Sequence, residues 1–495
     1  MKMVQDKKYN QFEKSKVRHI SISKAVDMLT TKRYESTCVK RDYVRNIYDY
    51  YTITTDDSNN NSEAKEIDIH YIKEWEKLHD SCVGLKRAEE LVVCYLCGPE
   101  PNNDFEEFVT KGVLPQNIWA FELDRKVYSE ALGTLENGVY PQPRIISQNI
   151  ETFMKDTPKQ FDIIYIDACG SIPSSRHALR CIMSICKYQR LVSPGIIISN
   201  FTEPDEKDIP EYLDLVTLYL YSKENPITDK GFLKEQKYVS YKNDVKEKFG
   251  EYYGDFISSV LRDIPAIVVP LQRLSKNSYI DKLFKINDVE DSDFQDLKKS
   301  KKHAFSNFIM LVENLKSSNI NIKKINELYN EFGGIEDIIK GIKRLLKIGD
   351  CKEIENRNLS LLKELFEKNK VYQFLDKPHF NMIYDVIINQ LTIPYHNVVE
   401  KNIRLFYKAK TKKMYTDITV YDECRYIYEW LPAADQIFGA FCNKSWQYIF
   451  RFGMDGLIKQ RSKYNNEFLY QGSVISKEIE GFLQKSMKDR ERIEG

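Results

Sequence analysis

The stretch VVCYLCGPEPNNDFEEF, residues 92–108, runs from an apolar segment through a glycine into a segment of helical character. A strand that breaks at glycine before a helix is where α/β enzymes hold a cofactor, because bare backbone amides and a helix N-terminus meet there. This turn holds one glycine, Gly98, with Pro99 and Pro101 after it. A dinucleotide pyrophosphate needs several unhindered amides and disfavours a neighbouring carboxylate, so the turn argues against NAD-type binding. The lysine-serine pair of a P-loop is absent from it as well.

Four further apolar runs follow: NIWAFE (117–122), RIIS (144–147), FDIIYID (161–167) and GIIISNF (195–201). Each is unbroken and rich in Ile or other large apolar residues, the pattern of strands covered on both faces. Helix-compatible segments separate them, so the spacing predicts a parallel sheet over residues 88–290. A later pair, AIVVPLQR (266–273) and SYIDKLFKI (278–286), reads as an antiparallel hairpin closing that sheet. Residues 1–87 read as a basic, partly helical segment. Residues 300–495 show 3.6-residue periodicity and read as a mainly α-helical C-terminal domain.

Bulk properties agree with a folded chain of several units. It has 495 residues, 42% hydrophobic and 30% charged, with a formal net charge of +1. A near-neutral total leaves any nucleic-acid surface to a local patch. No apolar run approaches the roughly 20 residues that span a bilayer, and the N-terminus lacks the apolar core of a secretory signal, so a cytoplasmic location and no membrane partner are expected. The ten cysteines are scattered. Cys94 and Cys97 lie within one apolar run and no second pair stands at zinc spacing, so they read as reduced core thiols and no metal is expected.

Ligands of an open parallel sheet bind beyond the carboxyl ends of its strands. The first strand ends at Gly98, followed by Pro99 and Glu100. The second ends at Glu122 and Leu123, where a carboxylate can accept ribose hydroxyls. The third leads to Asn149 and Ile150, placed to meet the edge and face of an adenine. The fourth ends at Asp167, with Ser171 beyond it, and the fifth at Ser199 and Asn200.

The segments YLCGPEPNND, IWAFELD, SQNIETF, FDIIYIDACGS and LVSPGIIISNF, in this order and spacing, resemble the class I S-adenosylmethionine-dependent methyltransferases. The resemblance implies a Rossmann-like methyltransferase sheet over 88–290 and S-adenosylmethionine as cofactor. Gly98 would then lie under its methionine part, Glu122 would hold the ribose, Asn149 would meet the adenine amine, and Asp167 would stand beside the sulfonium and the acceptor. The family's acidic residue ahead of its glycines is missing here, where Tyr95, Leu96 and Cys97 stand. Its second and third glycines are Glu100 and Asn102. A cationic sulfonium and α-amino group suit an acidic turn carrying Glu100 and Asp104.

Methyl transfer from sulfur is an in-line displacement, so the protein chiefly positions the acceptor and accepts its proton. Asp167 is the expected polar contact, with Ser171 and Asn200 as helpers. Cys169 stands in the loop where pyrimidine-C5 enzymes carry a nucleophile but follows Ala168 rather than proline, and reads as a structural thiol. His177 reads as a surface or capping residue. The rival reading is a non-catalytic binding or sensor protein that keeps the fold.

Two places carry local positive charge. The first 55 residues hold 12 Lys or Arg against 6 Asp or Glu. Residues 402–421 interleave Arg404, Lys408, Lys410, Lys412 and Lys413 with Phe406, Tyr407 and Tyr415. Cations beside stacking rings suit single-stranded nucleic acid, so RNA or DNA is the expected acceptor. The competing reading is a helix with the rings in the core and the lysines in water.

Overall fold

The computed structural model describes residues 11–53, 58–140, 144–173, 178–224, 227–228, 231–232, 235–278, 323–350, 390–409, 412–433, 436, 440, 443–460, 480–483 and 485–494. Its centre is a sheet of nine strands. The five apolar runs become β1 (Val93–Leu96), β2 (Ile118–Phe121), β3 (Arg144–Ile146), β4 (Phe161–Asp167) and β5 (Leu191–Thr202). They lie parallel in the order β3-β2-β1-β4-β5. All of β4 but Asp167 is buried, and β5 is buried from Pro194 to Phe201, as unbroken Ile runs require when helices cover both faces.

The hairpin that closes the sheet comes from elsewhere than the sequence pattern suggested. Residues 264–276 are helical: one π-turn at Ile264–Val268, then a helix at Val269–Lys276 with a proline in its first turn. Pro265 and Pro270 cannot donate to a central ladder but fit the start of a helical turn, which is why the apolar run does not become a strand. The second arm, 279–286, lies outside the described residues. The closing strands are instead β6 (Ile403–Ala409) and β7 (Lys412–Asp422). β7 runs antiparallel to β5, pairing Thr416 with Asn200, and β6 runs antiparallel to β7. The run YTDITVY is rich in β-branched and aromatic residues, which a pleated surface favours over a helix. Of the helical segments expected beyond residue 300, the helix Glu336–Asp350 is described, while 308–315 and 359–368 lie outside the described residues.

The first helix, α1 (Phe12–Leu29), lies against β5, β6 and the helix Asn102–Thr110. Its buried face includes Ile22, Ala25, Val26 and Leu29, which join one hydrophobic cluster running through the sheet to the helix Lys444–Gln460. Asp422 fastens the N-terminal segment to the sheet. Its carboxylate accepts the backbone N–H of Cys38 at 2.9 Å, the hydroxyls of Ser193 at 2.9 Å and Tyr426 at 2.6 Å, and the N–H of Cys424 at 2.9 Å. Among the described residues no helix is long and apolar enough to cross a membrane.

Candidate active site

The carboxyl ends of β1, β2 and β4 and the loop after β3 open onto one cavity of about 550 Å³. Gly98, Pro99, Glu100, Glu122, Leu123, Asn149, Ile150 and Asp167 all line it, together with Cys97, Asp104, Cys169 and two residues of α1, Lys14 and Arg18. Five carboxylates and two cationic side chains face this space, an excess of negative charge.

Gly98 has φ +58°, and a Cβ placed there would meet nothing within 4 Å. The glycine is therefore required by the left-handed turn rather than by crowding. Burial pushes the neighbouring Cys97 thiol up to about 12, so it stays protonated. The next helix, Asn102–Thr110, places Asp104 in its first turn and turns it into the cavity.

At β2, Glu122 Oε1 accepts the backbone N–H of Asp124 at 2.9 Å, and Oε2 has no partner among the described residues. Asp124 in turn caps the helix Arg125–Glu136 through the N–H groups of Lys126 and Val127. The arrangement orients the Glu122 carboxylate while leaving one oxygen for a ligand. Asn149 caps the helix Ile150–Asp156, its Oδ1 accepting from Glu151 N–H at 2.7 Å. That leaves its amide nitrogen, a donor, for the cavity. That donor can meet a ring nitrogen, and the second lone pair of Oδ1 an exocyclic amine, the contact expected from the sequence.

Asp167 ends β4 with both carboxylate oxygens engaged. Oδ2 receives the Lys14 ammonium at 2.8 Å, and Oδ1 accepts from Cys169 Sγ and Asn200 Nδ2, each at 2.9 Å. Burial alone would raise this carboxyl, but Lys14, Cys169 and Asn200 outweigh it and hold it below the usual range. Asn200, one of the expected helpers, does not line the cavity; it is buried in β5 and works by holding Asp167. It is itself fixed by Thr416 Oγ1, which donates to its Oδ1 at 2.9 Å, and its Nδ2 also reaches the Tyr407 hydroxyl oxygen at 3.2 Å. Ser171, the other, is hydrogen-bonded to the Tyr212 hydroxyl at 2.8 Å and lies away from the lining. Cys169 lines the cavity with φ +48°, its thiol tied to Asp167. His177 lies outside the described residues.

Lys14, Arg18 and Tyr407 were missed by strand-end reasoning. In KSKVR the two stand four apart and so share one helix face, but nothing local aims that face at the strand ends. Tyr407 is reached only through the pairing of β6 with β7.

The basic-aromatic segment is corrected by its place in the sheet. Tyr407 and Tyr415 are each 1% exposed, so their rings have no free face for a base. Lys412 pairs with Asp205 at 2.6 Å, and Lys413 sits over the rings of Phe406 and Tyr415 at 4.5 and 5.5 Å. Lys410 lies outside the described residues. Several N-terminal cations are also engaged within the fold. Arg45 forks onto Glu76 at 2.6 and 2.9 Å, Arg41 pairs with Asp80 at 2.7 Å, and Arg33 donates to the Val83 carbonyl at 2.9 Å. Elsewhere among the described residues, Cys38, Asp422 and Cys424 bring metal-ligand atoms within 4.8 Å of one another, but the Asp422 oxygens already accept four hydrogen bonds.

A five-stranded parallel sheet in the order 3-2-1-4-5, closed by an antiparallel hairpin beside β5 and opening onto a cavity at its strand ends, decides the fold. It is the Rossmann-like methyltransferase fold. No family model matches the chain, and no curated protein matches it. Solved structures similar to parts of it include a Haemophilus influenzae protein proposed to be a methylase, at 17% identity over 23% of this chain and 65% of that one, with a TM-score of 0.20. An S-adenosylmethionine-dependent methyltransferase of Clostridium acetobutylicum matches at 18% identity over 32% of this chain and 58% of its own, with a TM-score of 0.18. The magnesium protoporphyrin IX methyltransferase of Synechocystis, with S-adenosylmethionine bound, matches at 16% identity over 35% of this chain and 85% of its own, with a TM-score of 0.19. The chain thus spans less than two thirds of the first two. At these scores the fold rests on the sheet order and hairpin, not on any one overlap.

Proposed function

We propose that the chain binds S-adenosylmethionine in this cavity and transfers its methyl group to an acceptor that enters beside Asp167. The observation that carries the reading is the convergence of Gly98, Glu122, Asn149 and Asp167 on one acidic cavity at the strand ends. The residues present suit the cofactor: Glu122 keeps a free carboxylate oxygen for ribose hydroxyls, Asn149 a free amide donor for adenine, and the surplus of carboxylates favours a cation. When bound, the cofactor supplies an electrophilic methyl on a positively charged sulfur. Asn200 and Tyr407 would then act as positioning residues for Asp167. As paired, Asp167 is a weak base, so an acceptor that must lose a proton has to displace Lys14 first.

That same pairing of Asp167 favours a second reading, a non-catalytic sensor that binds the cofactor in the same place. Transfer of tritiated methyl separates the two: label from the cofactor appears on cellular RNA, protein or small molecules if the chain is an enzyme, and on none if it is a sensor. An RNA or single-stranded DNA acceptor remains our proposal for the polymer arm of that experiment. The buried rings of Tyr407 and Tyr415 offer it no stacking surface in residues 402–421.

A further inference from the structure

Arg18 is 9% exposed and lines the cavity beside the Gly98 turn. Its Nε donates to Asp104 Oδ1 at 2.7 Å. Its two terminal nitrogens make no hydrogen bond to the described residues, and neither does Asp104 Oδ2. These donors are open to the cavity, where a ligand with matching acceptors can take them. Its planar fork fits a carboxylate in two parallel bonds, which a lysine cannot reproduce. Beside it, burial pushes the Asp104 carboxyl above its usual range in spite of Arg18, so this carboxylate is short of positive charge. A free acceptor and free donors side by side are complementary to an amino-acid zwitterion, an ammonium and a carboxylate on one carbon.

We propose that Arg18 and Asp104 form the clamp for the amino-acid end of the cofactor, Arg18 taking the α-carboxylate and Asp104 the α-ammonium. This rests on the function proposed above. It also accounts for the missing acidic residue ahead of Gly98: the charge that would hold the amino-acid end is supplied one helix later, by Asp104, and is completed from α1.

The test is calorimetric titration of the full chain with three probes: S-adenosylmethionine, its decarboxylated form, and 5′-methylthioadenosine, which lacks the amino-acid end altogether. The clamp predicts that the parent binds S-adenosylmethionine about 10- to 100-fold more tightly than the decarboxylated form. Arg18→Met should remove that preference while changing the affinity for methylthioadenosine less than about 3-fold. Because Arg18→Met leaves Asp104 buried without its partner, Arg18→Lys is measured beside it. It keeps the charge and the fold, seen as an unchanged thermal midpoint, and should still lose about 10-fold on S-adenosylmethionine alone. Equal parent affinity for the carboxylated and decarboxylated forms overturns the clamp, as does a parallel loss on all three probes in Arg18→Lys. Binding of methylthioadenosine without such discrimination overturns the clamp and leaves the proposed function standing, whereas a parent that binds none of the three overturns both.

Discussion

The Lys14 ammonium on the first helix stands 2.8 Å from the Asp167 carboxylate at the end of β4, so the N-terminal segment is part of the site rather than an appendage to it. Each side chain keeps about 15% of its surface exposed, and the pair is therefore worth more than a surface bridge. Removing one partner strands the other. Lys14→Met should cost about 3 kcal/mol at pH 7 in urea unfolding.

The pH dependence of that cost follows from both groups. Asp167 is held below the usual carboxylate value, so its contribution is present above about pH 4 and is lost as pH falls through its folded value. Lys14 is held above its usual value because Asp167 outweighs burial, so its contribution is full below about pH 10 and is lost as pH rises past its folded value. The difference between parent and Lys14→Met should be flat from about pH 5 to 9 and shrink outside that window. A difference unchanged at pH 3 would remove the ion pair as its cause.

Glu122→Ala removes one free carboxylate oxygen from the cavity and a single bond to Asp124 N–H. It should weaken S-adenosylmethionine binding by roughly 1.5–3 kcal/mol and lower folding stability by about 1 kcal/mol or less. Full affinity in the folded variant would take the ribose away from Glu122.

Asp167→Asn keeps the shape of the β4 terminus but loses the charge that Lys14 and Asn200 organise. Methyl transfer, on the acceptor found by tritium labelling, should fall by about 100-fold or more, with cofactor affinity changed by less than about 5-fold. Equal transfer by variant and parent would exclude Asp167 from the mechanism.

Two glycines separate conformational need from crowding. Gly98→Ala meets open space but holds φ +58°, so it should cost about 1–2 kcal/mol. At Gly195 a Cβ would come within 2.2 Å of the Val192 carbonyl and 2.7 Å of Leu191, so Gly195→Ala should cost more than that or fail to fold. Thermal unfolding of both variants reads the order directly.

Periodicity sufficed for β1 to β5, because a strand buried on both faces leaves an unbroken apolar run such as FDIIYID. It failed for β6 and β7. There Lys408, Lys412 and Lys413 sit near the hairpin turn beside Phe406, Tyr407 and Tyr415, and the mixture mimics a binding surface. It failed again at AIVVPLQR, where Pro265 just before the run and Pro270 within it should have outweighed the apolar content. Glu122, Asn149 and Asp167 were legible because strand ends can be counted along the chain. Lys14 and Arg18 were not, since nothing local in KSKVR says that the helix folds back over residues 98–104 and 167. Asn149 shows a finer limit: the residue was found, but its second task, capping the helix Ile150–Asp156 through Oδ1, was not.

Titration of the purified full chain with S-adenosylmethionine in a calorimeter, with NAD as the control, tests the central claim most directly. The cavity described here predicts saturable binding of S-adenosylmethionine that weakens in Glu122→Ala, and no heat from NAD, whose pyrophosphate would face Glu100 and Asp104 across a turn with a single glycine. A folded chain that gives no heat with S-adenosylmethionine, or that takes up NAD instead, would contradict it.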